Sequence, residues 1–307
     1  MNTEIRKEKV TFESKGKKLV GNLYYPANYK DDAAYAGIIV TGSWTTVKEQ
    51  MAGEYAKRFA QEGFIVLAYD PRGYGESQGD IMYFESPNMK IEDVKSAVDF
   101  MSGLKQVEKI AAFGVCAGAS YTLVAASEDK RIEAVATAAS WIHDDEAVRL
   151  FYGGEEGVQA KIQAANDAKA KYEATGEVQY IPTISTTDET AAMFGPYDYY
   201  LNPERGAVAE WSSDKFAVMT WGEWLTFNPR LSAKNLTAPT LMIHSDGAVL
   251  PEYTKIYFDE IATSKKKLIW VGTDILPSPF HQFNFYDQEE EMTLTVDESS
   301  RWFKNVL

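Results

Sequence analysis

Ile110-Ala-Ala-Phe-Gly-Val-Cys-Ala-Gly-Ala-Ser120 is the stretch whose reading decides the fold. A strand-compatible apolar run leads to Gly114, a helix-forming run occupies Ala119 to Ala126, and a single thiol stands between them. A strand that turns sharply into a helix brings two backbones too close for side chains. Glycines two before and two after Cys116 therefore mark a strained elbow with the thiol at its apex. There the Ala117 N–H lies at a helix N-terminus, where backbone donors and the helix dipole favour a thiolate and later an oxyanion. A lone cysteine in apolar surroundings is ordinarily an inert core residue; its place between a buried strand and a helix raises Cys116 above that expectation.

Outward from the elbow the same alternation recurs. Upstream, Lys9–Ser14 and Lys18–Tyr25 read as a hairpin around Lys15-Gly16-Lys17. Gly37–Thr41 and Phe64–Tyr69 are continuous apolar runs of the kind buried on both faces. Val47–Gly63 and Ile91–Leu104 carry apolar residues at helical spacing, and Gly63 stops the first of them. Asp70–Gly79 is a glycine-rich loop that matches neither a dinucleotide fingerprint nor a phosphate loop; Asp70 and Arg72 are expected to brace it. Downstream, Ile132–Ala138 is a strand. Rhythm then fails from Trp141 to Arg230 and returns with strand Thr240–Ser245, helix Glu252–Ile261, strand Lys267–Val271, a loop over 272–282 and helix Met292–Asn305.

Closely spaced strand–helix units imply parallel strands with crossovers. The predicted fold class is α/β: a mostly parallel central sheet flanked by helices, with an inserted, mainly helical lid. Residues 1–140 and 231–307 form the core domain and 141–230 the lid. In such a sheet the loops at the carboxyl ends of the strands hold the site. The lid stretch is dense in aromatics, most of them expected to form its own core or its footing, with Trp141, Tyr199, Trp221 and Trp224 predicted to contact substrate.

Among 307 residues, 45% are apolar and 25% charged, enough for a sizeable core, and the net charge is −14. That charge disfavours nucleic acid and anionic membrane as partners. One cysteine allows no intrachain disulfide, and there is no apolar signal core or membrane-length run, so a cytoplasmic location is expected. The three histidines, His143, His244 and His281, have no metal-ligand spacing, and neither metal nor cofactor is expected. His244, inside a strand, reads as a hydrogen-bonded core residue; His143, beside Asp144 and Asp145, as a lid hinge or a substitute acid–base pair.

Over essentially its whole length the chain resembles the α/β-hydrolase superfamily, and is most similar to the branch near dienelactone hydrolases and related lidded hydrolases. Val47-Lys-Glu-Gln50 opening the first helix, Asp70-Pro-Arg-Gly-Tyr-Gly-Glu-Ser77, the elbow Gly114–Gly118 and Phe283-Asn-Phe-Tyr-Asp287 carry the likeness. The resemblance implies Cys116 as nucleophile, His281 as base and Asp246 as acid, in the family's order. It also implies an oxyanion hole from the Ala117 N–H and an amide of Ser43 or Trp44. Gln282 stands directly before the Phe283–Asp287 run, where the family pattern leads one to expect histidine; His281 is one residue earlier.

The leading expectation is a hydrolase that cleaves an ester, lactone or thioester of a small to medium, partly apolar substrate through a Cys-His-Asp triad and a thioester acyl-enzyme. Two alternatives stay open. One is acyl transfer, cyclisation or carbon–carbon bond chemistry in the same lidded site. The other is a catalytically silent scaffold for ligand binding. A small-molecule acyl substrate is the expected partner, with a homodimer possible through exposed lid aromatics.

Overall fold

The computed structural model describes residues 5–272 and 277–307; residues 273–276 of the predicted 272–282 loop lie outside it. Eight strands make the sheet: β1 (Arg6–Ser14), β2 (Lys17–Tyr25), β3 (Tyr35–Thr41), β4 (Ile65–Tyr69), β5 (Val107–Val115), β6 (Ile132–Ala138), β7 (Thr240–Ser245) and β8 (Lys266–Val271). Their order is β1-β2-β4-β3-β5-β6-β7-β8. The β1–β2 hairpin and its pairing with β4 are antiparallel, and every pairing from β4 to β8 is parallel. The direction in which the sheet grows reverses at β3, which has β4 on one side and β5 on the other. A crevice opens at such a switch point, outside the carboxyl ends of the strands. The loops after β3 and β5 therefore meet there, and they carry Ser43, Trp44 and Cys116.

Helix α1 (Met51–Gln61) packs on β3 and β4, α2 (Pro87–Ser102) on β5, and α3 (Ala117–Glu128) comes directly after the elbow. Every residue of α3 from Ala117 to Ser127 is buried, so this short helix is apolar nearly all round because nothing on it meets water. Ser86 caps α2 by accepting the Met89 N–H, with Pro87 in the first turn, where its missing N–H costs nothing.

Helix α1 begins at Met51, not at Val47. The four residues before it form a turn in which Val47 N–H donates to Gln50 Oε1, at 3.0 Å. Buried Asp70 holds them there: its Oδ1 accepts the Lys48 N–H at 2.8 Å and its Oδ2 the Lys48 ammonium at 2.7 Å. Asp70 also accepts the Glu76 N–H at 2.9 Å, so this carboxylate braces its own loop, as expected from the sequence. Arg72 does likewise through buried Asp93, its Nε donating at 2.6 Å. Glu85, fully buried, ties three elements together: it accepts from Thr45 N–H at 3.0 Å, Lys90 Nζ at 2.6 Å and Tyr121 O–H at 2.7 Å. The loop after β3 is thus pinned to α2 and α3 one residue from Trp44.

Between β6 and β7 come α4 (Asp145–Phe151) and α5 (Gly154–Thr175). Helix dominates only this first part of the stretch. Gly176, at φ 74°, ends α5 in the left-handed conformation, and Pro182, Pro196 and Pro203 interrupt the segment beyond it. That segment runs as turns with two small ladders and the short helices Asp198–Leu201 and Thr220–Trp224. The two ends of the whole insertion meet, since Arg230 Nη1 lies 3.1 Å from Asp144 Oδ2. It is fastened onto the strand-end loops: Tyr199 O–H accepts the Met51 N–H at 3.0 Å, Trp211 Nε1 donates to Thr45 O at 3.0 Å, and Gln50 Nε2 donates to Gly206 O at 2.6 Å. Helix α6 (Pro251–Glu260) packs on β7, and α7 (Glu289–Val306) on β6, β7 and α1. Met292, Val296 and Phe303 form the buried stripe of α7, while Leu294 and Trp302 are only partly covered.

Candidate active site

Cys116 is the residue that turns β5 into α3, and it does so at φ 56° and ψ −122°, a strained conformation for a side chain with a β-carbon. The two glycines permit the turn. A β-carbon on Gly118 would stand 2.1 Å from Gly42 O, and one on Gly114 would stand 2.5 Å from Gly118 O. The thiol is 6% exposed. Burial pushes its pKa up, and four donors pull the other way: the hydroxyls of Ser43 and Tyr286 and the backbone N–H groups of Ala117 and Trp44. The two amides come from the turn after β3 and from the start of α3. Ser43 contributes its hydroxyl to this set and not its amide.

Those hydroxyls belong to a larger net. Ser43 Oγ lies 3.2 Å from both Tyr200 O–H and Tyr286 O–H. Gln282 Nε2 donates to Tyr286 O–H at 3.2 Å and to Ala139 O at 2.7 Å, while its Oε1 accepts the Val249 N–H at 3.1 Å. Gln282 therefore lines the cavity beside Cys116, and its amide is held by three hydrogen bonds.

The structure does not bring His281 and Asp246 to the thiol. His281 Nδ1 lies 2.7 Å from Ser245 Oγ and its Nε2 lies 2.8 Å from Glu291 Oε1, so both ring nitrogens are taken. Residues Phe280–Phe283 form a 3-10 turn that runs straight into the short helix Asn284–Asp287. In that geometry successive side chains differ by about 120°, so Gln282 faces the cavity and His281 faces away. The end of the expected loop, from Phe280 on, is helical and holds the two side chains a residue apart in fixed directions. Asp246 has a side chain 69% exposed and sits 3.7 Å from Lys255 Nζ, out in solvent. Val249, further along its loop, lines the cavity instead. Ser245–His281–Glu291 has the connectivity of a charge relay, but Ser245 is wholly buried and does not line the cavity over Cys116, so the trio fastens α7 to β7.

The cavity over Cys116 has a volume of about 370 Å³. Of the four aromatics expected to contact substrate, Trp141 and Trp224 line it; Tyr199 and Trp221 do not. Tyr199 is spent on its bond to α1, and Trp221 packs behind the wall against Trp44, Tyr152 and Phe216. Tyr200, Tyr286, Gln282 and Lys161 are wall residues that the sequence reading did not select. A signal existed for two of them: Gln282 and Tyr286 are four apart across the run Phe283–Asp287, hence on one helical face.

His143 and His244 are structural. His143 Nδ1 accepts from Trp141 Nε1 at 2.9 Å, which steadies a cavity tryptophan, and its Nε2 lies 3.2 Å from Trp224 O. His244 Nε2 lies 3.0 Å from Val249 O. Burial holds the pKa of His143 down to about 4 and that of His244 down to about 3. Both imidazoles thus bind protons more weakly folded than unfolded. Stability should fall as pH drops below the ordinary imidazole value near 6.5, and go on falling to the folded values. Between pH 7 and pH 5 the expected loss is about 3–4 kcal/mol for the two together. Urea midpoints at both pH values measure it, with His143→Gln showing about half the loss; a stability flat over that interval contradicts the account.

Residues 45–188, from the loop after β3 through the elbow and α5, match the family described as serine aminopeptidase, S33. The uncharacterized protein PA2218 of Pseudomonas aeruginosa is 30% identical over 292 residues, covering 89% of this chain and 76% of that one. Its crystal structure superposes with a TM-score of 0.84, covering 99% of this chain and 94% of the other at 27% identity. The chain belongs to the α/β-hydrolase superfamily. In this hydrolase-fold enzyme, of the class acting on ester-type bonds, the elbow apex is thus a cysteine. The protein YcjY of Escherichia coli K12 is 31% identical over 191 residues, 59% of this chain, and the match spans only 61% of YcjY. The acyltransferase drtE of Aspergillus calidoustus is 26% identical over 264 residues, 83% of this chain and 80% of drtE. No helix among the described residues of the hydrolase-fold chain is long and apolar enough to cross a membrane.

Proposed function

We propose that this hydrolase-fold enzyme transfers acyl groups: Cys116 takes an acyl group from an activated ester or thioester and passes it to a nucleophile other than water. The observation that carries the reading is Gln282, an amide with no proton-accepting nitrogen, in the position beside the thiol. Hydrolysis of an acyl-cysteine needs a general base to take a proton from water. The donors around Cys116 stabilise negative charge and accept none of that proton load. The similarity to an acyltransferase, drtE, is in keeping with this choice. The likeness to the dienelactone branch enters only through the shared use of a cysteine nucleophile.

The steps balance without an added reagent. The Cys116 sulfur attacks the carbonyl of a thioester, the tetrahedral oxyanion is received by the Ala117 and Trp44 N–H groups, and the thiol proton leaves with the departing thiolate. Acyl-Cys116 is then attacked by an amine or thiol, whose proton returns to the cysteine sulfur. Each oxyanion donor is worth about 3 kcal/mol. The aromatic cavity excludes water during the lifetime of the intermediate.

Intact-mass analysis with an acyl N-acetylcysteamine thioester tests this. An acyl adduct on Cys116 should accumulate, be lost faster on addition of an acceptor amine or thiol than in buffer, and be absent from Cys116→Ala. An adduct that turns over in buffer as fast as with acceptor restores hydrolysis. No adduct, with ligand binding unchanged in Cys116→Ala, favours a binding scaffold, a second reading supported by the burial that keeps the thiol protonated.

A further inference from the structure

Lys161 lies on α5, and among the described residues lining the Cys116 cavity it is the one side chain with a formal charge. Its neighbours along the wall are aromatic, aliphatic, hydroxyl-bearing or amide. Its Nζ stands 4.4 Å from the centroid of the Trp221 ring, so the ammonium is steadied by the face of an indole. Buried lysines elsewhere in this chain have carboxylate partners: Lys48 has Asp70 and Lys90 has Glu85. Lys161 has no carboxylate within ion-pair distance among the described residues, and burial alone pulls its pKa down.

A half-buried ammonium without a counter-ion carries a desolvation cost that no carboxylate among the described residues offsets. In a chain of net charge −14 there is no shortage of carboxylates that could have been placed beside it. The cost is recovered when the cavity's occupant brings the negative charge. The position of Lys161 fixes which part of the occupant that is. Trp221, under the ammonium, lies 6.0 Å ring to ring from Trp44, whose N–H faces the Cys116 sulfur. Neither Lys161 nor Trp221 is among the groups that meet the Cys116 sulfur, so the cation stands away from the reacting carbon. The anion must sit at the far end of a chain that passes along the aromatic wall.

Building on the transferase reading, we propose that Lys161 determines specificity by binding a carboxylate at the end of the acyl group distal to the carbonyl that Cys116 attacks. The substrate class is an activated monoester or monothioester of a dicarboxylic acid.

Acylation of Cys116 by glutaryl and by pentanoyl N-acetylcysteamine, followed by intact mass, separates the charge from chain length. The second-order rate constant should favour glutaryl by about tenfold or more, the worth of one charge-assisted hydrogen bond. Lys161→Met should abolish that preference, bringing the ratio of the two rate constants to about one, and Lys161→Arg should keep it. Equal rates for the two thioesters in the wild type, or an unchanged preference in Lys161→Met, overturn the proposal. A pentanoyl thioester of phosphopantetheine that is preferred over both, with the preference lost in Lys161→Met, moves the anion to the leaving group and overturns it as stated. If no thioester acylates Cys116, the transferase reading fails. Lys161 is then tested alone by calorimetry of glutaramate binding to Cys116→Ala with and without Lys161→Met, where equal affinities overturn the proposal.

Discussion

Replacing Gln282 by histidine should raise water-driven release of an acyl group from Cys116 by about 100-fold, the lower end of what a positioned general base supplies. The amide of Gln282 already sits at hydrogen-bond distance from Tyr286 O–H and Ala139 O. An imidazole there keeps one N–H for Ala139 O and turns one basic nitrogen toward the net around the sulfur. The gain is held to the lower range for two reasons. The Val249 N–H loses the acceptor it has in Gln282 Oε1, and no carboxylate among the described residues stands ready to fix the tautomer, Asp246 being out in solvent. Single-turnover deacylation followed by intact mass between pH 6 and 8 measures the effect. The gain should grow as pH rises through the ordinary imidazole range near 6.5, where the ring becomes a base. Deacylation unchanged from the wild type, with the adduct still forming, would show that the missing base is not what limits water.

The sequence made the elbow, the sheet and the strand-end location of the site legible because all three rest on local rules. Gly114, Gly118 and the apolar runs speak of backbone contacts within a few residues. The partners of Cys116 were harder to read, since they depend on which way a side chain points from a segment far along the chain. His281 and Gln282 are neighbours, and a 3-10 turn over Phe280–Phe283 sends them to opposite sides. Spacing alone cannot reveal that turn. Lys161 was invisible for a related reason: α5 is polar over most of its surface, and only packing shows which of its lysines faces the cavity. Tyr199 and Trp221 show the converse. Both are aromatic, both belong to the cavity-covering segment, and both are spent on packing and footing. In contrast, Tyr200, adjacent to Tyr199, reaches Ser43.

Gly118→Ala should cost about 4 kcal/mol or more, in the range reserved for substitutions with a definite steric cause. The added methyl would lie 2.1 Å from Gly42 O and 2.5 Å from Thr41 O, and both atoms are backbone that no rotamer change can move. Relief requires β3 and its loop to retreat from α3. That loop is pinned to Glu85 by the Thr45 N–H and carries the Trp44 N–H that faces the Cys116 sulfur. Stability and thiol acylation should therefore fall together in this one variant, because the close approach that needs glycine is also what sets the two oxyanion donors side by side. Gly222→Ala is the control, since its added carbon would meet only Ala165 Cβ, at an ordinary 3.5 Å, and its cost should stay within about 0.5 kcal/mol. Urea unfolding followed by tryptophan fluorescence reads both variants. Failure of Gly118→Ala to accumulate as folded protein, beside a normal yield of Gly222→Ala, is the extreme of the expected result. A Gly118→Ala protein within about 1 kcal/mol of the wild type and still acylated at Cys116 would mean that the elbow is not held by the contact between α3 and the end of β3.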